Sequence, residues 1–140
     1  MTPDTVTIEN SLGSGAVSIS SIKNGTAVVP FTIKLANCSN PDLSNTKVYI
    51  SQGTLLTGTT NFFNSNPSDV IGIQIMDGTT VFSLNTSTGL VPSSDSVVWQ
   101  KINSDTQSKT LNASLKCKTS GCVPSVGDFS AGVTLSFYSQ

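Results

Sequence analysis

Apolar residues in this chain recur at every second position and hardly anywhere at helical spacing. Phe31-Thr32-Ile33-Lys34-Leu35 alternates apolar and polar residues, and so do Val17-Ser18-Ile19 and Val133-Thr134-Leu135-Ser136-Phe137. A strand points successive side chains to opposite faces, so this period predicts half-buried β-strands. Lys47-Val48-Tyr49-Ile50, Ile71-Gly72-Ile73-Gln74-Ile75 and Leu111-Asn112-Ala113-Ser114-Leu115 are further strand candidates. Val81-Phe82-Ser83-Leu84 follows Asp77-Gly78-Thr79-Thr80, which reads as a hairpin turn. Turn residues separate the strands: Gly13 to Gly15, Asn24-Gly25, Asn40-Pro41-Asp42, Asn64 to Pro67, Pro92 to Asp95 and Pro124 to Gly127. The Ser/Asn-rich stretch from Thr59 to Asp69 reads as a loop with room for a short helical turn. Short strands in series with no amphipathic helix predict an all-β sandwich. The 140 residues suit one domain spanning 1–140.

Composition removes several classes of function. Charged residues make up 11% of the chain, which has seven Lys and no Arg. Without Arg or a basic run, nucleic acid is not an expected partner. No apolar stretch approaches the length of a membrane helix, so membrane insertion is not expected. Met1-Thr2-Pro3-Asp4 lacks the basic start and apolar run of a secretory signal, so the chain reads as mature, or as trimmed and restarted with Met. There is no His, so Ser-His-Asp and Cys-His nucleophile systems and His metal ligands are excluded. The eight carboxylates are scattered, and most adjoin Gly, Pro, Ser or Asn, where they shape turns. No glycine loop leads into a Lys or a helix to cradle phosphate. The expectation is a non-enzyme with no cofactor and no metal.

Three cysteines remain. Cys117 and Cys122 enclose Lys118-Thr119-Ser120-Gly121, a tight hairpin loop, and a disulfide between them is the first choice. It implies an oxidising compartment. The alternatives are free thiols or a partial metal site, and a Cys-x4-Cys without His is a poor zinc set. Cys38 is then the odd, unpaired cysteine. Asn24, Asn37, Asn85 and Asn112 each begin an N-glycosylation pattern, which so Asn- and Ser-rich a chain produces by chance.

Three segments together resemble the subunits of Gram-negative chaperone–usher pili. Phe31-Thr32-Ile33-Lys34-Leu35-Ala36-Asn37-Cys38 resembles that family's second strand, which closes on a cysteine. Val70-Ile71-Gly72-Ile73-Gln74-Ile75-Met76-Asp77-Gly78 resembles its central strand and turn. Gly127 stands fourteen residues from the C-terminus, where the family places a glycine ahead of its last alternating strand. The resemblance runs from about Ala16 to the end. There are departures. The family's penultimate aromatic is replaced by Ser139, with Tyr138 one residue earlier, so the strand either bulges there or carries a relaxed motif. The first-strand cysteine that pairs with Cys38 in the family is missing, as is the N-terminal extension. A trimmed chain, the pilin domain of a two-domain tip adhesin, or pairing of Cys38 with Cys117 or Cys122 would each account for this.

The resemblance implies an immunoglobulin-like sandwich that lacks its last strand and is completed by a donor strand. An absent strand leaves backbone N–H and C=O groups unpaired and uncovers the core beneath. The implied donors are a periplasmic chaperone and then a neighbouring pilus subunit, with an usher as further partner. The implied route runs through the periplasm to a surface fimbrium. The expected acceptor groove is lined by Val133, Leu135 and Phe137, faced by Val17 and Ile19. Thr5-Val6-Thr7-Ile8 also alternates and reads as the opening of the first strand, continuing toward Val17; folded instead into the groove of its own chain, it would make the protein a stable monomer. Two other readings compete: a lectin-like adhesin binding host glycan through Trp99, Phe62 or Phe63, and a Gram-positive Ig-like surface domain with a Lys–Asn isopeptide bond.

Overall fold

The computed structural model describes residues 18–34, 46–100, 108–124 and 129–139. They form a short helix α1 (Ile19–Lys23) and strands β1 (Val28–Lys34), β2 (Thr46–Gly53), β3 (Ile71–Asp77), β4 (Thr80–Phe82), β5 (Val97–Trp99), β6 (Ser108–Cys117) and β7 (Val133–Ser139). One sheet has the order β1-β6-β3-β4 and the other β5-β2-β7. Every strand pair is antiparallel. The expected all-β sandwich is thus present. Among the described residues no helix is long and apolar enough to cross a membrane.

Register follows from burying one face of each sheet. Ile71, Ile73 and Ile75 of β3 pair with Cys117, Leu115 and Ala113 of β6. These alternate residues join Ile33, Val48, Ile50, Phe63 and Trp99 in one buried cluster. At Asp77-Gly78-Thr79-Thr80 the chain turns directly from β3 into β4, with Gly78 at φ +60. The positive φ is costly for residues with a β-carbon, which explains the glycine there.

A bulge between Ile50 and Gln52 shifts the β2–β7 register. Leu135 pairs with Ile50, but Val133 pairs with Gly53 rather than Gln52. The extra residue exchanges the faces of β2, so the strand stays in step with the alternation of β7. The Ser51 hydroxyl bridges to the Ser136 hydroxyl at 2.6 Å across the irregularity.

One sequence expectation is corrected, and two elements left open by the sequence are settled. Ser18 and Ile19 do not continue a strand: Ser18 caps α1, its Oγ accepting from the Ser21 N–H at 3.1 Å, and Ile19 opens the helix. The local serine-to-backbone bond outweighs an alternation only three residues long. Val97-Val98-Trp99 is a strand that alternation did not mark, because all three residues are buried. Thr59 to Asp69 contains no helical turn. Phe63 instead bridges Leu55 and Ile73, and Asn64 is buried, its amide donating to the Ile71 carbonyl at 2.9 Å.

Candidate functional site

The two sides of the sandwich differ. On one side the chain passes straight from β4, an edge of the first sheet, to β5, an edge of the second. The Ser83 N–H donates to the Asp95 carbonyl at 2.8 Å, drawing the two ends of that crossing together. On this side Phe82, Val97, Val98 and Trp99 are all buried, and Leu84 just after β4 is partly covered. On the other side lie the edges β1 and β7. Among the described residues β1 pairs with β6 alone and β7 with β2 alone. Pro30 within β1 lacks a backbone N–H, which fits an edge strand and would weaken a central one.

The side chains at these two edges are incompletely covered. Phe31 of β1, Val133 and Leu135 of β7, and Phe129 and Ala131 just before β7 all pack against the core cluster, yet each is only partly buried. A core-facing residue on a closed sandwich would be covered from both sides, as Val48 and Ile50 are on the neighbouring strand β2. The two edges thus carry partly covered apolar side chains that pack on the core. Such edges offer backbone donors and acceptors and alternate apolar contacts at strand spacing, the chemistry of strand addition.

The approach to β7 is anchored. The Ser65 N–H donates to the Ser130 carbonyl at 2.8 Å, and the Ser130 and Ser65 hydroxyls lie 3.2 Å apart. Gly53 of β2 lets that strand lie against the Phe63 ring.

Of the expected groove residues, Val133 and Leu135 lie on β7 and pack, partly buried, against the core, and Phe137 falls on β7, paired with Val48. Ile19 does not belong to an edge strand. It sits on α1, 38% exposed. Val17 lies outside the described residues, as do Cys38, Gly127 and Thr5 to Ile8. Phe31, which the sequence places in an alternating strand, lies on the edge strand β1 and packs, partly buried, against the core; Pro30 beside it was the available sign of an edge.

Cys117 and Cys122 form the disulfide, with 5.7 Å between their α-carbons, and it closes the turn after β6. The metal and free-thiol alternatives for this pair are thereby removed, as is either residue as partner for Cys38. At Tyr138 the register with β2 runs without a shift from Leu135 to Ser139. The expected bulge is absent there, and the relaxed motif is the correct alternative. Trp99 and Phe63 are core residues, so neither offers a stacking face to a sugar, and Phe62 is half-buried. Asp77 ends β3 at its turn, where it pairs with Lys109 at 2.9 Å, and Asp69 accepts from the Val70 N–H at 2.7 Å.

Two solved structures share this fold. The P pilus rod subunit PapA superposes with a TM-score of 0.64 at 17% identity, covering 99% of this chain and 90% of that one. A chain from the structure of a chaperone–usher pilus, determined to explain rod uncoiling, gives a TM-score of 0.58 at 17% identity, covering 96% of this chain and 84% of that one. No curated protein matches the sequence. The family model of fimbrial proteins matches residues 3–140, and the chain accordingly belongs to the fimbrial protein family, as a structural subunit of a surface pilus.

Proposed function

We propose that the groove between β1 and β7 accepts a β-strand from another polypeptide, and that this exchange builds the chain into its fibre. The observation that carries the proposal is the asymmetry of the sandwich. On the β4–β5 side Phe82, Val97, Val98 and Trp99 are buried and only Leu84 among the core-packed residues named is partly covered, whereas Phe31, Phe129, Ala131, Val133 and Leu135 on or beside β1 and β7 are all half-covered. A donor strand would pair with the free edges and place alternate apolar side chains over this floor. Each such side chain contributes roughly 1.5–3 kcal/mol when fully buried.

The same groove serves two donors in succession under this proposal. A periplasmic chaperone occupies it first and keeps the edge from aggregating. At the usher, a strand of the neighbouring subunit replaces it, and the polymer passes to the surface. Residues 1–140 act as one strand-accepting domain. The disulfide supports the periplasmic route, since it needs an oxidising compartment.

The test is thermal unfolding of the purified chain with and without a synthetic peptide of alternating apolar and polar residues. At a hundredfold excess over its dissociation constant, a ligand of the folded state adds about 2.7 kcal/mol. For a chain of this size that raises the melting temperature by roughly 5–10 °C. A peptide of equal composition without alternation should produce no rise. Equal melting under all three conditions contradicts the proposal.

A further inference from the structure

The alternation of β7 begins before the strand does. Phe129, Ala131, Val133 and Leu135 pack on the core, partly buried, while Ser130, Gly132 and Thr134 between them are exposed. β2 supports this line only from Val133 onward, because its pairing with β7 ends at Gly53. Among the described residues, 129–132 belong to no strand. Ser65 takes over where β2 stops: its N–H donates to the Ser130 carbonyl at 2.8 Å. The Gly132 carbonyl oxygen turns the same way, lying 3.2 Å from where a β-carbon on Gly53 would stand. Peptide groups of an extended chain alternate sides. Ala131 therefore turns its N–H and C=O to the opposite side, in line with those of Val133 and Leu135.

Ser65 stands on a fixed base. Phe63 exchanges two backbone bonds with Ile73 of β3, at 2.9 and 2.8 Å. The Asn64 N–H donates to the Thr54 carbonyl at 3.0 Å. The buried Asn64 side chain donates to the Ile71 carbonyl at 2.9 Å and accepts from the Asn66 N–H at 2.8 Å. The end of β2 and the start of β3 thus hold Ser65, and Ser65 holds the approach to β7.

Resting on the strand-accepting reading given above, we propose that Ser65 is a positioning residue for strand addition. Its N–H keeps 129–132 in line with β7, so the accepting edge starts at Phe129 instead of Val133. A donor then gains backbone partners at Ala131 and apolar contacts at Phe129 and Ala131. Ordering these residues in advance lowers the entropy cost of binding. Ser65 lies on the side away from the donor and acts only through Ser130.

The test follows amide exchange in the full chain, free and saturated with a synthetic peptide apolar at four alternate positions. In the free chain the Ser65 amide, although its residue is exposed, should exchange about tenfold or more slowly than an unbonded amide. The peptide should slow Ala131 together with Val133 and Leu135. Ser65→Pro removes the N–H, and it should lose the slowing at Ala131 while keeping it at Val133 and Leu135. Ser65→Ala keeps the N–H and should behave as the unsubstituted chain. A Ser65 amide that exchanges freely, or slowing at Val133 and Leu135 but not Ala131 in the unsubstituted chain, would overturn the role of Ser65. So would slowing at Ala131 that survives in Ser65→Pro, equal weakening at all three amides there, or its loss in Ser65→Ala. No slowing at any of the three in the unsubstituted chain overturns strand acceptance itself, and the role of Ser65 with it. Should Ser65→Pro not fold, the Ser65 and Ala131 amides of the unsubstituted chain decide the outcome.

Discussion

A β-carbon on Gly53 would stand 2.8 Å from two ring carbons of Phe63, whose side chain is completely buried. Phe63 cannot retreat, because its backbone bridges both Leu55 and Ile73. Gly53→Ala should therefore overpack this end of the sandwich and cost roughly 1–3 kcal/mol, read as a lower midpoint in urea. An unchanged midpoint would mean that the ring moves freely. Ser114 is the opposite case. Its hydroxyl lies buried on β6 with no hydrogen-bond partner among the described residues, so the folded protein bears the desolvation of a polar group uncompensated by them. Ser114→Ala should leave stability unchanged or slightly raised. A loss above about 1 kcal/mol would show that the hydroxyl is satisfied in solution.

Elements of this protein are short and are held by staples as well as by pairing. Cross-linking the turn between Cys117 and Cys122 restricts the unfolded chain and stabilises the fold by about 2 kcal/mol for so small a loop. Replacing both cysteines with serine should lower the unfolding free energy by about that amount without changing the β-rich circular dichroism spectrum; a spectrum of unfolded chain would show that the staple is needed for folding itself. Most strands were legible in the sequence because a strand with one buried face must alternate. β3, β6 and β7 do so, and the β3–β4 turn announces itself through Asp77-Gly78. Two elements lacked that signal. β5 is only three residues long and wholly buried, which removes alternation. α1 is a single turn set by the Ser18 cap, too short for a helical period, and its first residue imitates a strand. The proposed groove was half legible. Val133 and Leu135 stand out through the terminal alternation, whereas Phe31 joins them only because β1 lies at the open edge, and strand order is not written in the spacing of one strand.

At the scale of the molecule, function turns on which side of the sandwich is closed. The β4–β5 crossing ties one pair of edges together; β1 and β7 have no such link among the described residues. Amide hydrogen exchange reads backbone hydrogen bonding residue by residue. The most direct measurement follows exchange along β7, from Val133 to Ser139, with and without an alternating donor peptide. The account predicts strong slowing at β7 amides that face away from β2, a smaller gain along β1, and little change at β4 or β5. Equal exchange in β7 with and without peptide, or protection gained chiefly at β4, would contradict the strand-accepting edge.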